Sequence, residues 1–149
     1  MIKFFILNKI IFLLFFISTS AYAENLNSFD EGQKLFEIKK YEEAKIYFER
    51  DIVFNPKEHK SYLYLAKIFK KNENDQELEK NLNSVLLLSP NNDEAIYMMV
   101  LLKIKQSDYA ISNELIEKFK KVCNLFCSKE QEILSKLDKI SSNNDANQN

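Results

Sequence analysis

The only two prolines of this 149-residue chain, Pro56 and Pro90, stand 34 residues apart, and that spacing narrows the available folds more than any other feature. The same step links further columns. Gly32, Ala66 and Val100 form a small-to-medium one, Leu65, Met99 and Ile133 an apolar one, and Phe48, Leu82 and Ile116 another. Tyr41 and Tyr109 match two steps apart, with Asp75 breaking the column between them, and Asn124 stands where a third proline would fall. A fixed period of this length marks a chain made of repeated supersecondary units. None of these can bury its apolar face alone, so neighbours must stack.

Each period splits into two helical stretches. Unit one reads as helices over 28–39 and 41–54, unit two over 58–70 and 75–88, and unit three over 93–105 and 108–122. The stretch "YEEAKIYFERDIVFNP" is the second helix of the first pair: aromatics and an alanine at helical spacing, closed by Asn-Pro. Proline disfavours the helical conformation in the residue before it, so "NP" and "SPNN" end helices. The polar turn "KNEND" offers Asn and Asp as N-caps, and Ser107 is the expected cap of the helix over 108–122. A last helix over 129–140 gathers Ile133, Leu134, Leu137 and Ile140 on one side with charges opposite, as a solvating cap for an open stack needs. One glycine and two prolines are too few turn residues for a strand-rich fold.

These positions resemble the tetratricopeptide repeat, a 34-residue helix-turn-helix unit. Gly32, Leu35, Tyr41, Ala44, Phe48 and Pro56 stand at preferred positions of the first unit, and Tyr62, Leu65, Ala66, Phe69 and Pro90 at those of the second. Leu78 replaces a preferred alanine, and the third unit, with Val100, Lys103 and Ser112, is degenerate. The resemblance spans about 25–124. It implies an all-α fold: a short right-handed superhelical stack of about three such units plus a C-terminal capping helix. The residue sizes make sense on their own terms. Gly32, Ala66 and Ala44 let paired helices approach, while Tyr41, Phe48, Tyr62 and Phe69 fill the space between units.

The resemblance further implies a concave face lined by the first helix of each pair. Its groove would be lined by Phe29, Gln33, Phe36 and Glu37 in unit one. Lys60, Leu63, Lys67, Lys70 and Lys71 follow in unit two, and Glu94, Tyr97, Leu101, Ile104 and Lys105 in unit three. A cationic and apolar groove suits an extended peptide with acidic and apolar side chains. Lysines on a helix face also serve simply to solvate it. The Lys and Asn arrangement with which the family grips a C-terminal carboxylate is not reproduced, since Phe29 and Gln33 stand at two of its positions.

The N-terminus reads as a signal peptide over 1–23. Lys3 and Lys9 precede the apolar run "IIFLLFFI", too short to span a membrane, and Ala21-Tyr22-Ala23 is a cleavage signature. Cleavage after Ala23 places the repeat domain at 24–140 in an exported, periplasmic bacterial protein, without stable membrane insertion once processed. No cysteine adjoins the junction to carry a lipid. Losing Lys3 and Lys9 moves the net charge from −1 to −3, which offers nucleic acid no attraction. The tail "SSNNDANQN", 141–149, has no apolar anchor and is expected to be disordered.

Cys123 and Cys127 are the only cysteines. Four residues apart within one helix they would bridge only under strain, but Asn124 falls in the predicted turn, where a bridge between them becomes feasible and would staple the cap to the stack. The exported compartment permits it. Two sulfurs without further Cys or His make a poor zinc site, and the spacing is not Cys-x-x-Cys. His59, the one histidine, has no nucleophile partner in sequence, and a single glycine cannot build a phosphate loop. The expectation is therefore no catalytic residues, no metal and no cofactor. The function expected is a scaffold that binds another protein or extended peptide through the groove. The alternative is a self-associating structural protein of the cell envelope, pairing as a homo-oligomer through Met98, Met99 and Leu102.

Overall fold

The computed structural model describes residues 28–146. Seven α-helices follow one another, with no strand among the described residues: α1 Ser28–Glu37, α2 Tyr41–Phe54, α3 His59–Lys71, α4 Asp75–Leu88, α5 Asp93–Lys105, α6 Tyr109–Val122 and α7 Glu130–Ala146. A 3-10 turn, Cys127–Lys129, precedes α7. This is the all-α succession of helix-turn-helix units that the period implies. The segment read as a signal peptide lies outside the described residues. None of the described helices is long and apolar enough to cross a membrane.

The turn inside each pair repeats more faithfully than the residues that make it. Lys39, Glu73 and Ser107, each 34 positions from the next, enter the left-handed region with φ of 64°, 55° and 61°. The N–H of the following residue then reaches back five positions. Lys40 donates to Leu35 O at 2.9 Å, Asn74 to Phe69 O at 3.0 Å and Asp108 to Lys103 O at 2.9 Å. This closure satisfies carbonyls that a helix end would orphan. None of the three is glycine, so each turn costs about 1 kcal/mol or more in backbone strain. The cap of α6 is accordingly Asp108, which accepts from Ile111 N at 3.3 Å. It is not Ser107, because the left-handed turn occupies that position. Asn74 and Asn92 cap α4 and α5 in the same way.

The chain divides into two compact units after Pro56, at a repeat boundary inside the segment 24–140. In the first, α1 and α2 form a hairpin. Gly32 is buried and faces Phe48, where a methyl group would come within 2.8 Å of Cε1. Phe48 is fully buried, with the Phe29 ring 5.9 Å away. Burying such a ring contributes about 2–3 kcal/mol. Phe36 meets Tyr41 edge-on at 5.2 Å and closes the hairpin's turn end.

The second unit holds the α3–α4 and α5–α6 hairpins and α7. Helix α5 is its centre, with every residue from Ala95 to Val100 buried. A helix apolar all round must be covered all round. Here α6, α4 and α7 all pack against it. Two polar ties cross its flanks. Lys67 of α3 meets Glu94 at 2.9 Å, and Lys103 binds Glu79 of α4 within a ring completed by Gln106.

This burial corrects the expected pairing face: Met98, Met99 and Leu102 are 3–4% exposed and belong to the interior. Helix α7 runs to Ala146, past the Ile140 at which the sequence reading ends it; no Pro or Gly follows Ser141 to stop it.

Candidate functional site

The second unit contains a cleft of about 680 Å³ between the end of α3, the start of α4, the second half of α5 and α7. Leu78, Met98, Leu101, Leu102 and Ile104 make its apolar floor. Lys70, Lys105, Lys136 and Lys139 stand around it with Glu73, Asp75 and Glu132. The acids are partly neutralised within the wall. Lys105 meets Asp75 at 2.6 Å, and Lys129 meets Glu132 at 3.1 Å. Of the charged lining residues, four are lysines and three are acids.

Tyr97 organises the α5–α7 side. Its ring lies 6.4 Å from Phe119 and 6.0 Å from Phe126, and its hydroxyl donates to Glu132. Burial, aided by that carboxylate, pushes the phenol up to about 12. Lys129 and Tyr97 together hold Glu132 below its ordinary value. The ammonium of Lys70 lies 5.7 Å from the centre of the Tyr97 ring. Loss of water through burial is the first cause that lowers the Lys70 pKa below its ordinary 10.5, with Lys136 and Lys129 adding to it.

A second arrangement lies at the other end of α5. Asp93, the first residue of that helix, accepts three consecutive backbone N–H groups on one oxygen, Oδ2. They come from Asn124 at 2.8 Å, Leu125 at 2.7 Å and Phe126 at 2.9 Å. Burial pushes the Asp93 carboxyl up, but these bonds and one from Glu94 N outweigh it and hold it below 3.8. The three amides sit between Cys123 and Cys127, whose Cα atoms are 5.1 Å apart and whose sulfurs stand at disulfide distance. The pairing is possible because α6 ends at Val122, so the cysteines flank a turn rather than share a helix.

Of the residues expected in the groove, Lys70, Leu101, Ile104 and Lys105 line this cleft. Lys67 is instead paired with Glu94 and lies over the Tyr64 ring. Leu63 and Tyr97 are buried, while Lys60 and Lys71 are exposed outside the cleft. In the first unit Phe29 and Phe36 are engaged within their own hairpin, and Gln33 donates to Glu37 at 3.3 Å. His59 lies beside Glu58, its Nδ1 3.4 Å from Oε1. Sequence reasoning missed the α7 wall. Glu132, Lys136 and Lys139 sit at i, i+4 and i+7 on one stripe, a signal that reads equally well as a solvated face. No group of three His, Cys, Asp or Glu side chains that could hold a metal ion occurs among the described residues.

No protein-family model matches the chain. No curated protein matches it either. Among solved structures it is similar to the second TPR domain of the human RPAP3 protein, determined by NMR in complex with the HSP70 peptide SGPTIEEVD. The two are 21% identical with a TM-score of 0.61, and the match covers 80% of this chain and 97% of that one. A likeness at that level of identity speaks to the fold, and the fold of this all-α chain is TPR-like.

Proposed function

We propose that this chain is an exported, periplasmic protein-binding module, whose α3–α5–α7 cleft takes an extended segment of a partner carrying apolar and acidic side chains. The observation that carries the reading is the cleft itself: an apolar floor of five side chains under a rim where lysine charge exceeds acid charge. Apolar side chains of a partner would bury against Leu101 and Ile104, and its carboxylates would face Lys70 and Lys136. The similar RPAP3 domain holds an acidic peptide, which favours the same class of partner here. Charge complementarity of this kind raises the association rate and sets register, while the apolar floor supplies most of the affinity. The periplasmic placement rests on the leader-like sequence over 1–23.

Calorimetric titration tests the cleft. SGPTIEEVD serves as an acidic and apolar probe, and a version with lysine for both glutamates as its control. The expected result is binding of the first that weakens with salt, no binding of the second, and loss of the signal in a Lys70→Glu, Lys136→Glu double variant that melts within about 2 °C of wild type. Equal binding of both peptides, or undiminished binding by the double variant, would sink the proposal. Processing after Ala23 is read separately, by the N-terminal residue and cell fraction of the expressed protein.

A further inference from the structure

Helix α7 contributes Glu132, Lys136 and Lys139 to the cleft, so the cleft exists only while α7 is held against α5. The start of α7 is held by the fully buried Ile133 and, just before it, by the turn over 123–127. The Asn124, Leu125 and Phe126 amides converge on Asp93 at the head of α5. The Phe126 ring lies against Tyr97, whose hydroxyl binds Glu132 in the first turn of α7. Three successive N–H groups aimed at one oxygen form an anion-binding nest, an arrangement an unconstrained turn populates poorly. The cysteines stand at the two ends of that nest. Cys127 is exposed and Cys123 half-exposed, so a thiol in solution can reach the pair.

We propose that the Cys123–Cys127 pair is a redox latch on the cleft. Bridged, it closes a five-residue ring whose three inner amides are preset to grip Asp93, and α7 is fixed as a wall. A dithiol reductant opens it by exchange. One thiolate attacks a cysteine sulfur, the second thiol displaces the mixed disulfide, and two cysteine thiols form while the reductant leaves as its own cyclic disulfide. The turn then samples conformations in which the amides no longer converge, and α7 loosens. For a five-residue ring, the chain-entropy relation places the change in the opening equilibrium at about 30-fold. The consequence for partner binding rests on the cleft reading above; the latch itself does not.

Amide hydrogen exchange on the chain recovered from an expressing bacterium tests this, before and after treatment with dithiothreitol. Exchange at Asn124, Leu125, Phe126 and the first turns of α7 should speed up about 30-fold on reduction, with α3 and α4 unchanged. A Cys123→Ser, Cys127→Ser variant with unchanged helical circular dichroism should exchange like the reduced protein. Equal exchange in the two redox states overturns the latch. Titration with SGPTIEEVD separates the two readings. Tighter binding by the bridged form supports control of the cleft, and equal binding in both states overturns that control. Binding in neither state, with exchange still accelerated, overturns the cleft reading and leaves the latch standing.

Discussion

Replacing Asp93 by alanine removes the single acceptor shared by the Asn124, Leu125 and Phe126 amides. A hydrogen bond to a charged group is worth about 1.5–3 kcal/mol net, but the exposed Asn124 and Leu125 amides can turn to water once freed. The half-buried Phe126 amide is less able to do so. Asp93 also places a negative charge at the start of α5, worth about 0.3–1 kcal/mol against the helix dipole. The summed loss is about 2–4 kcal/mol, enough to lower the melting temperature of a domain this size by about 8–15 °C. Asp93→Asn keeps an oxygen and loses the charge, so it should cost about 1–2 kcal/mol.

The pH dependence has a definite sign. The folded carboxyl titrates below the 3.8 that the unfolded chain keeps, so its stabilisation is complete well above that value. It fades as pH falls through 3.8 toward the folded value, where the wild-type and Asp93→Asn stabilities should converge. Urea unfolding from about pH 7 down to 3, followed by circular dichroism, measures both effects. Alanine and asparagine variants within about 0.5 kcal/mol of wild type, or a wild-type advantage constant through that range, would overturn this assignment.

Further outcomes follow from other contacts. Gly32→Ala adds a methyl 2.8 Å from the Phe48 ring. Overpacking of about 1–3 kcal/mol should exceed the roughly 1 kcal/mol gained in helix propensity, giving a net loss by urea unfolding that turns into a gain in a Phe48→Leu background. Phe48→Ala should cost about 3–5 kcal/mol, because the ring is fully buried. Lys103→Ala should cost about 1–2 kcal/mol, because Lys103, whose side chain is 12% exposed, leaves Glu79 without its nearest cation. The same change should raise the Glu79 pKa, which the Lys103 bond chiefly depresses, as carbon-detected NMR titration would report.

Most of the helix-turn-helix order is legible in the sequence, and the particular misses show why the rest is not. The bounds of α2, α4 and α5 coincide with those read from periodicity, Pro56, Pro90 and the Asn caps. The left-handed turn residues were invisible, because Lys39, Glu73 and Ser107 lack the glycine that advertises such a backbone. Ser107 therefore reads as the cap that Asp108 provides. The cleft was half legible. Lys70, Leu101, Ile104 and Lys105 follow from the repeat columns, whereas the α7 wall reads in sequence as solvated surface.

Where helices begin, break and recur is written locally, because helix periodicity, caps and proline act through neighbours within a turn or two of chain. Long-range packing sets the rest: Asp93 meets amides 31 to 33 residues away, Met98 and Met99 face inward, and Glu132, Lys136 and Lys139 wall a cleft. Those outcomes depend on which helix covers which face, a matter of packing between segments distant in sequence that no local rule encodes.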